Sequence, residues 1–315
     1  MRFLTVRALG AAAVLLVLSV VIFSLVYLAP GDIVKNLLGT RAASPETIAA
    51  VRAQYHLDES AINQYLRWLG GFLHGDLGQS VRLQESVAEA IGQRMGLTAA
   101  LCAFAFAVSL VVALPLGILS AVRAGTWLDR TASGLVVVGL SAPTFATGLL
   151  LLTVFAYYLP ILPVYGVGKG FWDILAHLAL PATSLALGLG AIVVKLTRTA
   201  MLRELEADYV SAARARGLSE VSVLRVALRN AAIPITTGAG LLLTFLVGGT
   251  VLAETTFALP GLGTLLQESL LFKDIAVVQS LTLLVACVIT AISFLADSAY
   301  LLLDPRVRQC GAVEQ

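Results

Sequence analysis

Six stretches of this 315-residue chain are apolar for long enough to cross a bilayer, which takes about 20 residues of helix. They cover residues 8–29, 97–122, 132–159, 174–197, 231–253 and 275–303. The pattern predicts an all-α membrane protein of six transmembrane helices. A cleaved signal peptide is the rival reading of the first stretch. That stretch is long for a signal, however, and it runs through bulky Tyr27 directly into Pro30, so a retained helix is expected.

Two polar interruptions are longer than a connection between spans requires. The first, residues 30–96, has a helix start at Ser44-Pro45-Glu46: a capping hydroxyl, a proline at the first helical position and an early acid. Ile48, Val51 and Tyr55 continue it on one apolar face. Ile62, Leu66, Leu69 and Leu73 make a second amphipathic stretch, which ends at the turn signal Gly75-Asp76-Leu77-Gly78. A helical external loop between the first two spans is expected. The chain thus divides into residues 1–29, the external loop 30–96, a five-helix core 97–303 containing the loop 198–230, and a tail 304–315.

The placement of arginine gives the expected orientation, because short cytoplasmic loops carry the positive excess. Arg2 and Arg7, Arg123 and Arg130, Arg198 to Arg229, and Arg306 and Arg308 fall on one side, against only Lys169 and Lys273 in the short opposite loops. Both termini are therefore expected in the cytoplasm. Composition agrees with membrane residence: 58% of residues are hydrophobic and 13% charged, more apolar surface than one soluble core can bury. A net charge of +2 leaves no large basic surface for nucleic acid. Cys102, Cys287 and Cys310 read as small apolar residues rather than a disulfide framework. His56, His74 and His177 lack the spacing of a metal site, so no metal is expected.

The second interruption, residues 198–230, has an internal plan. Glu204, Glu206 and Asp208 precede a helix-forming run, 210–216, that Gly217 ends as a C-cap. Ser219 can cap a second helix, with Ser222 at the position where a capping box holds Glu or Gln, and this helix runs towards Asn230 and Pro234 of the fifth span. A short helix so tied to a span can act as a lever on the membrane face. Ala212, Ala213 and Ala215 permit close approach of a partner, and Arg214 and Arg216 add charge. A merely solvated amphipathic loop is the blander reading of the same residues.

The run from Asp208 to Leu218, with Leu228-Arg229-Asn230-Ala231 and Pro234, resembles the EAA loop of ABC importer permeases. The likeness is greatest to the dipeptide/oligopeptide/nickel branch. Further blocks resemble the same family in the same order: Leu28-Ala29-Pro30-Gly31-Asp32, His74-Gly75-Asp76-Leu77-Gly78-Gln79-Ser80, His177-Leu178-Ala179-Leu180-Pro181, Gly248-Gly249, the segment 254–263 and the segment 303–308. The resemblance implies the MetI-like fold of type I importers. It also implies that Ala212, Ala213, Gly217 and Leu218, flanked by Arg214 and Arg216, form a coupling helix on an ATPase subunit. The implied partners are a homologous second permease, two ABC ATPase subunits that carry the ATP and Mg, and an extracytoplasmic substrate-binding protein. Peptides, glutathione-like solutes and nickel complexes are the branch's substrates. The absence of histidine and acid clusters within the spans favours di- and oligopeptides, with nickel or glutathione-like solutes as the alternative. Three positions depart from the pattern: Ser211 replaces the motif's glutamate, Val226 a common histidine, and Gly96 a common proline.

No G-x-x-x-x-G-K-[ST] loop occurs, so the chain is expected to be non-catalytic, with no cofactor of its own. Charges inside spans are functional suspects. Lys195 can snorkel from near a span end, and Asp297 is expected to pair with a neighbouring helix. Glu254 opens the segment 254–263, and with Phe257, Pro260 and Gly261 it is expected near the external mouth as a re-entrant or capping element. Thr244, Ser280 and Thr282 are candidate pathway positions as weakly polar residues of the later spans. An ion-coupled carrier would place ionisable groups at mid-membrane and repeat its fold, and neither pattern is seen here. A membrane scaffold would have no use for the loop 198–230.

Overall fold

The computed structural model describes residues 2–28, 45, 58–80 and 82–303. Described secondary structure is helical apart from one isolated bridge between Gln79 and Ser86. The helices are α1 (Arg2–Leu28), α2 (Ala61–Leu73), α3 (Val87–Val122), α4 (Trp127–Ser141), α5 (Thr144–Leu152), α6 (Phe171–Leu205), α7 (Asp208–Ala215), α8 (Glu220–Thr256), α9 (Leu262–Leu271) and α10 (Ile275–Leu303). The expected helix at 44–55, the motif at 28–32 beyond Leu28 and the tail 304–315 lie outside the described residues, Pro45 excepted. Five helices are long and apolar enough to span, or six if α4 and α5 with its π-helical extension Thr153–Tyr158 count as one broken span.

That break corrects the single helix expected over 132–159. The two halves meet at 104°. Pro143 has no N–H to continue the ladder and pushes the preceding residue out of the helical region, and Ala142 accordingly sits at φ −82°, ψ 122°. A second difference concerns length. α3, α6 and α8 run to 36, 35 and 37 residues, each well past the roughly 20 that a span needs. The second loop helix and the fifth span, read separately from the sequence, are one continuous α8 with Pro234 inside it.

The chain folds as two compact units. One comprises Thr5–Thr98 and Pro260–Thr290. In it α2 packs an aromatic edge on α1: the Phe23 ring lies 5.5 Å from Tyr65 and 5.8 Å from Trp68, and the Ser19 and Tyr65 hydroxyls are 2.8 Å apart. Ser60 caps α2 by accepting from the Asn63 N–H, and Gly75 at φ 84° closes it. Val87, Ala90 and Ile91 of α3 bury against Leu265 of α9 and Val277 and Leu281 of α10. Polar contacts fasten the segment before α3 to the α9–α10 turn. Ser80 donates to Asp274, and the Arg82 guanidinium pairs with Glu268 at 2.9 Å while lying 4.1 Å over the Phe272 ring.

The other unit comprises Met1–Leu4, Ala99–Leu259 and Ala291–Gln315. Its helices cross closely because small residues stand at the crossings. A Cβ placed on Gly117 of α3 would meet Thr197 Cβ of α6 at 2.7 Å, and one on Gly139 of α4 would meet the Leu187 carbonyl at 2.7 Å. Ala121, Ala200, Met201, Ala227, Ala231 and Ile235 form one buried cluster uniting α3, α6 and α8. This cluster sits where the loop 198–230 leaves and rejoins the bundle, and it fixes both legs of that loop.

Candidate functional site

The loop is built from four helix ends. α6 ends at Leu205 and α7 begins at Asp208, so the chain turns within two residues, Glu206 and Ala207. Val210 is 1% exposed and anchors α7 to the unit's interior. Tyr209 adds a polar anchor: its hydroxyl donates to Glu204 Oε2 at 2.8 Å, with the Asn230 side chain beside it. Burial first, then the neighbouring Glu204 carboxylate, push the Tyr209 phenol above its ordinary value. Two sequence blocks, Asp208-Tyr209 and Leu228-Arg229-Asn230, are thus brought side by side in space.

The far end of α7 closes as a Schellman motif. Leu218 N–H donates to Ala213 O at 3.2 Å and Gly217 N–H to Arg214 O at 2.9 Å, with Gly217 at φ 78°. α8 then starts at the expected cap, where Ser219 Oγ accepts from Ser222 N–H at 3.4 Å and lies 3.0 Å from Ser222 Oγ. Arg214 bridges the two helices with a forked pair to Glu220, at 3.0 and 3.2 Å. Both side chains are open to solvent, so the pair aligns the turn more than it stabilises the fold.

The outcome is a short helix held at both ends with its small residues outward. Ala212, Arg214, Arg216, Gly217 and Leu218 are exposed and Ala213 is half-buried. Leu218 keeps 42% of its surface in solvent beside the positive-φ glycine. Such a surface admits a partner closely and offers no catalytic group.

The other sequence candidates lie elsewhere. Glu254 is fully buried in the last turn of α8, which also closes as a Schellman motif: Leu259 N–H donates to Glu254 O at 2.8 Å. The αL position there is occupied by Ala258, at φ 50°. Phe257 is buried with its ring against Gly148, where a Cβ would come within 3.0 Å of it. Pro260 is exposed, and Gly261 caps α9, its N–H donating to Thr264 Oγ1 at 2.9 Å. Thr244 is half-buried and donates to Gly240 O at 3.1 Å, Thr282 is half-buried, and Ser280 is buried with its hydroxyl donating to Leu77 O at 2.9 Å. Lys195 is exposed and Asp297 half-buried.

Sequence reasoning missed Asp129. It looks like an ordinary first-turn acid of α4, yet it is 4% exposed and takes a forked ion pair from Arg198 at 2.6 and 2.8 Å. Its only signal in the sequence is an acid among the arginines of a short loop.

The described residues form a set of candidate membrane-spanning helices with a short, solvent-facing helix on the loop between two of them, the outline of an integral membrane protein. Residues 113–309 match the family described as binding-protein-dependent transport system inner membrane component, and residues 1–102 match its N-terminal family. The chain belongs to this family, and it is an integral inner-membrane protein and a permease subunit of an ABC importer. A protein of Brucella suis biovar 1 provisionally named a peptide permease is 37% identical, covering 98% of this chain and 99% of its own length. The dipeptide transport system permease protein DppB of Escherichia coli strain K12 is 36% identical, covering 91% of this chain and 92% of its own. Among solved structures, a chain of the MetNI methionine ABC transporter in an inward-facing conformation superposes with a TM-score of 0.56 at 20% identity. It covers 68% of this chain and 96% of that one, a likeness of fold.

Proposed function

We propose that this permease carries di- and oligopeptides and forms half of their pathway beside a homologous second permease. The names of its relatives at 36–37% identity support the substrate class. Two ABC ATPase subunits bind ATP and Mg on the cytoplasmic side, and an extracytoplasmic binding protein delivers the peptide. Both termini then lie in the cytoplasm, in keeping with the arginines of the loop 198–230.

The observation that carries this reading is α7, a helix anchored by Val210 and Tyr209, closed at Gly217, and exposing small residues. Ala212, Ala213, Arg214, Arg216, Gly217 and Leu218 take the contact with an ATPase. Closure of the ATPases pushes α7, and the helices packed at its base shift together, since packed elements move as discrete bodies. Glu254, Phe257, Pro260 and Gly261 shape the external mouth, and Thr244, Ser280 and Thr282 serve the pathway.

Reconstitution with the partner subunits tests the reading. Peptide uptake that requires ATP and the binding protein, and that is lost when Ala213 is replaced by a bulky residue, is the expected result. Uptake of nickel or a glutathione-like solute in place of peptides would reassign the substrate. Transport by this chain alone on an ion gradient would overturn the assignment.

A further inference from the structure

Asp129 holds more hydrogen bonds than an ordinary helix-start acid. Arg198 Nε donates to Oδ1 at 2.6 Å and a terminal guanidinium nitrogen to Oδ2 at 2.8 Å. Ser120 Oγ donates to Oδ1, and the Gly125 N–H donates to Oδ2 at 2.9 Å. One carboxylate thereby joins the last turn of α3, the turn 123–126, the first turn of α4 and the C-terminal third of α6. Arg198 stands in α6, two turns before the helix ends at Leu205 and hands over to α7. The preceding residue, Thr197, is fully buried at the close crossing of Gly117.

The pair is only partly buried, Asp129 being enclosed and Arg198 half-exposed. Such an ion pair is weak ground for stability, because an apolar pair of similar volume often serves the fold as well. What a bidentate fork adds is direction: it resists sliding and rotation, which apolar contacts permit. We propose that Asp129 and Arg198 form a latch that locks the α3–α4 turn to the base of the coupling loop, so that a push on α7 moves α3, α4 and α6 as one body. These are positioning residues, acting through α7, and the inference rests on the coupling reading given above.

The test uses the complete importer in liposomes, with binding-protein-stimulated ATP hydrolysis and peptide uptake measured together on complexes first shown to be assembled. Asp129→Asn and Arg198→Lys are expected to keep hydrolysis while uptake per ATP falls about tenfold, since neither variant can form the charged fork. Exchange of the charges, Asp129→Arg with Arg198→Asp, is expected to restore part of the ratio. The apolar pair Asp129→Leu with Arg198→Met keeps the packing without the fork, so it is the variant to read where the single changes prevent assembly. Its expected result is also an assembled complex with a lowered ratio.

A wild-type ratio in the assembled variants would overturn the latch. Gly217→Val separates the two failures. If Gly217→Val is uncoupled and the Asp129 and Arg198 variants are not, the latch alone falls; if Gly217→Val transports normally, the coupling reading itself falls.

Discussion

The Tyr209 hydroxyl donates to Glu204 Oε2 at 2.8 Å, tying the first turn of α7 to the last turn of α6 across the bend at Glu206 and Ala207. Tyr209→Phe removes that bond but keeps the ring, so α7 stays packed while its angle loosens. A net loss of about 1 kcal/mol in local stability is expected. Faster amide exchange in α7 and a lower uptake-per-ATP ratio would register it.

The same tyrosine gives a pH expectation. Its pKa is raised above the ordinary value of 10.0, so the protonated donor is the form that folding favours. The stability it contributes is fully present below pH 10 and is lost only as pH rises through the higher folded value. The difference between wild type and Tyr209→Phe should therefore be flat from about pH 6 to 9. A slope in that window would assign the effect to another group.

Gly217 sits at φ 78°, and a Cβ there would meet nothing within 4 Å. Substitution therefore acts within this chain through backbone strain rather than crowding. Gly217→Asn, which tolerates the left-handed region, should be milder than Gly217→Ala, at about 1 kcal/mol, with Gly217→Val worst. Uptake per ATP should follow that order; an order set by side-chain size alone would point to the partner surface instead.

Ala258 occupies the equivalent position at the end of α8, at φ 50°, where glycine is the strain-free residue. Its side chain is exposed, so little packing is lost with it. Ala258→Gly should stabilise by about 1 kcal/mol and raise the unfolding temperature in detergent. A fall in that temperature would contradict the strain.

Ser80→Ala should destabilise the unit that contains α9. Asp274 is 4% exposed and would lose the hydroxyl that reaches it, a charge-assisted bond worth about 2 kcal/mol. Thermal unfolding would show the loss, and Ser80→Thr, which keeps the hydroxyl, should recover part of it.

Much of the loop's construction is legible in the linear pattern. Gly217 marks the end of α7 and Ser219 the start of α8 because caps are local: each satisfies backbone groups a few residues away. The same locality explains Ser60 and Gly75 around α2. The break at Ala142-Pro143 also had a local cause, yet hydropathy passes smoothly across it and hides it. The continuity of α8 was hidden for the opposite reason, since its polar start and apolar body look like two elements.

Apolar run lengths determined that the chain is a helical membrane protein, and cap residues determined where the helices of the loop end and begin, because transfer free energy and capping depend on neighbours in the chain. Only the tertiary structure decided that Asp129 meets Arg198, that Tyr209 meets Asn230, and that Phe257 lies on Gly148. Those partners stand 69, 21 and 109 positions apart, and their pairing follows from which helix faces cross, a property that no single segment contains.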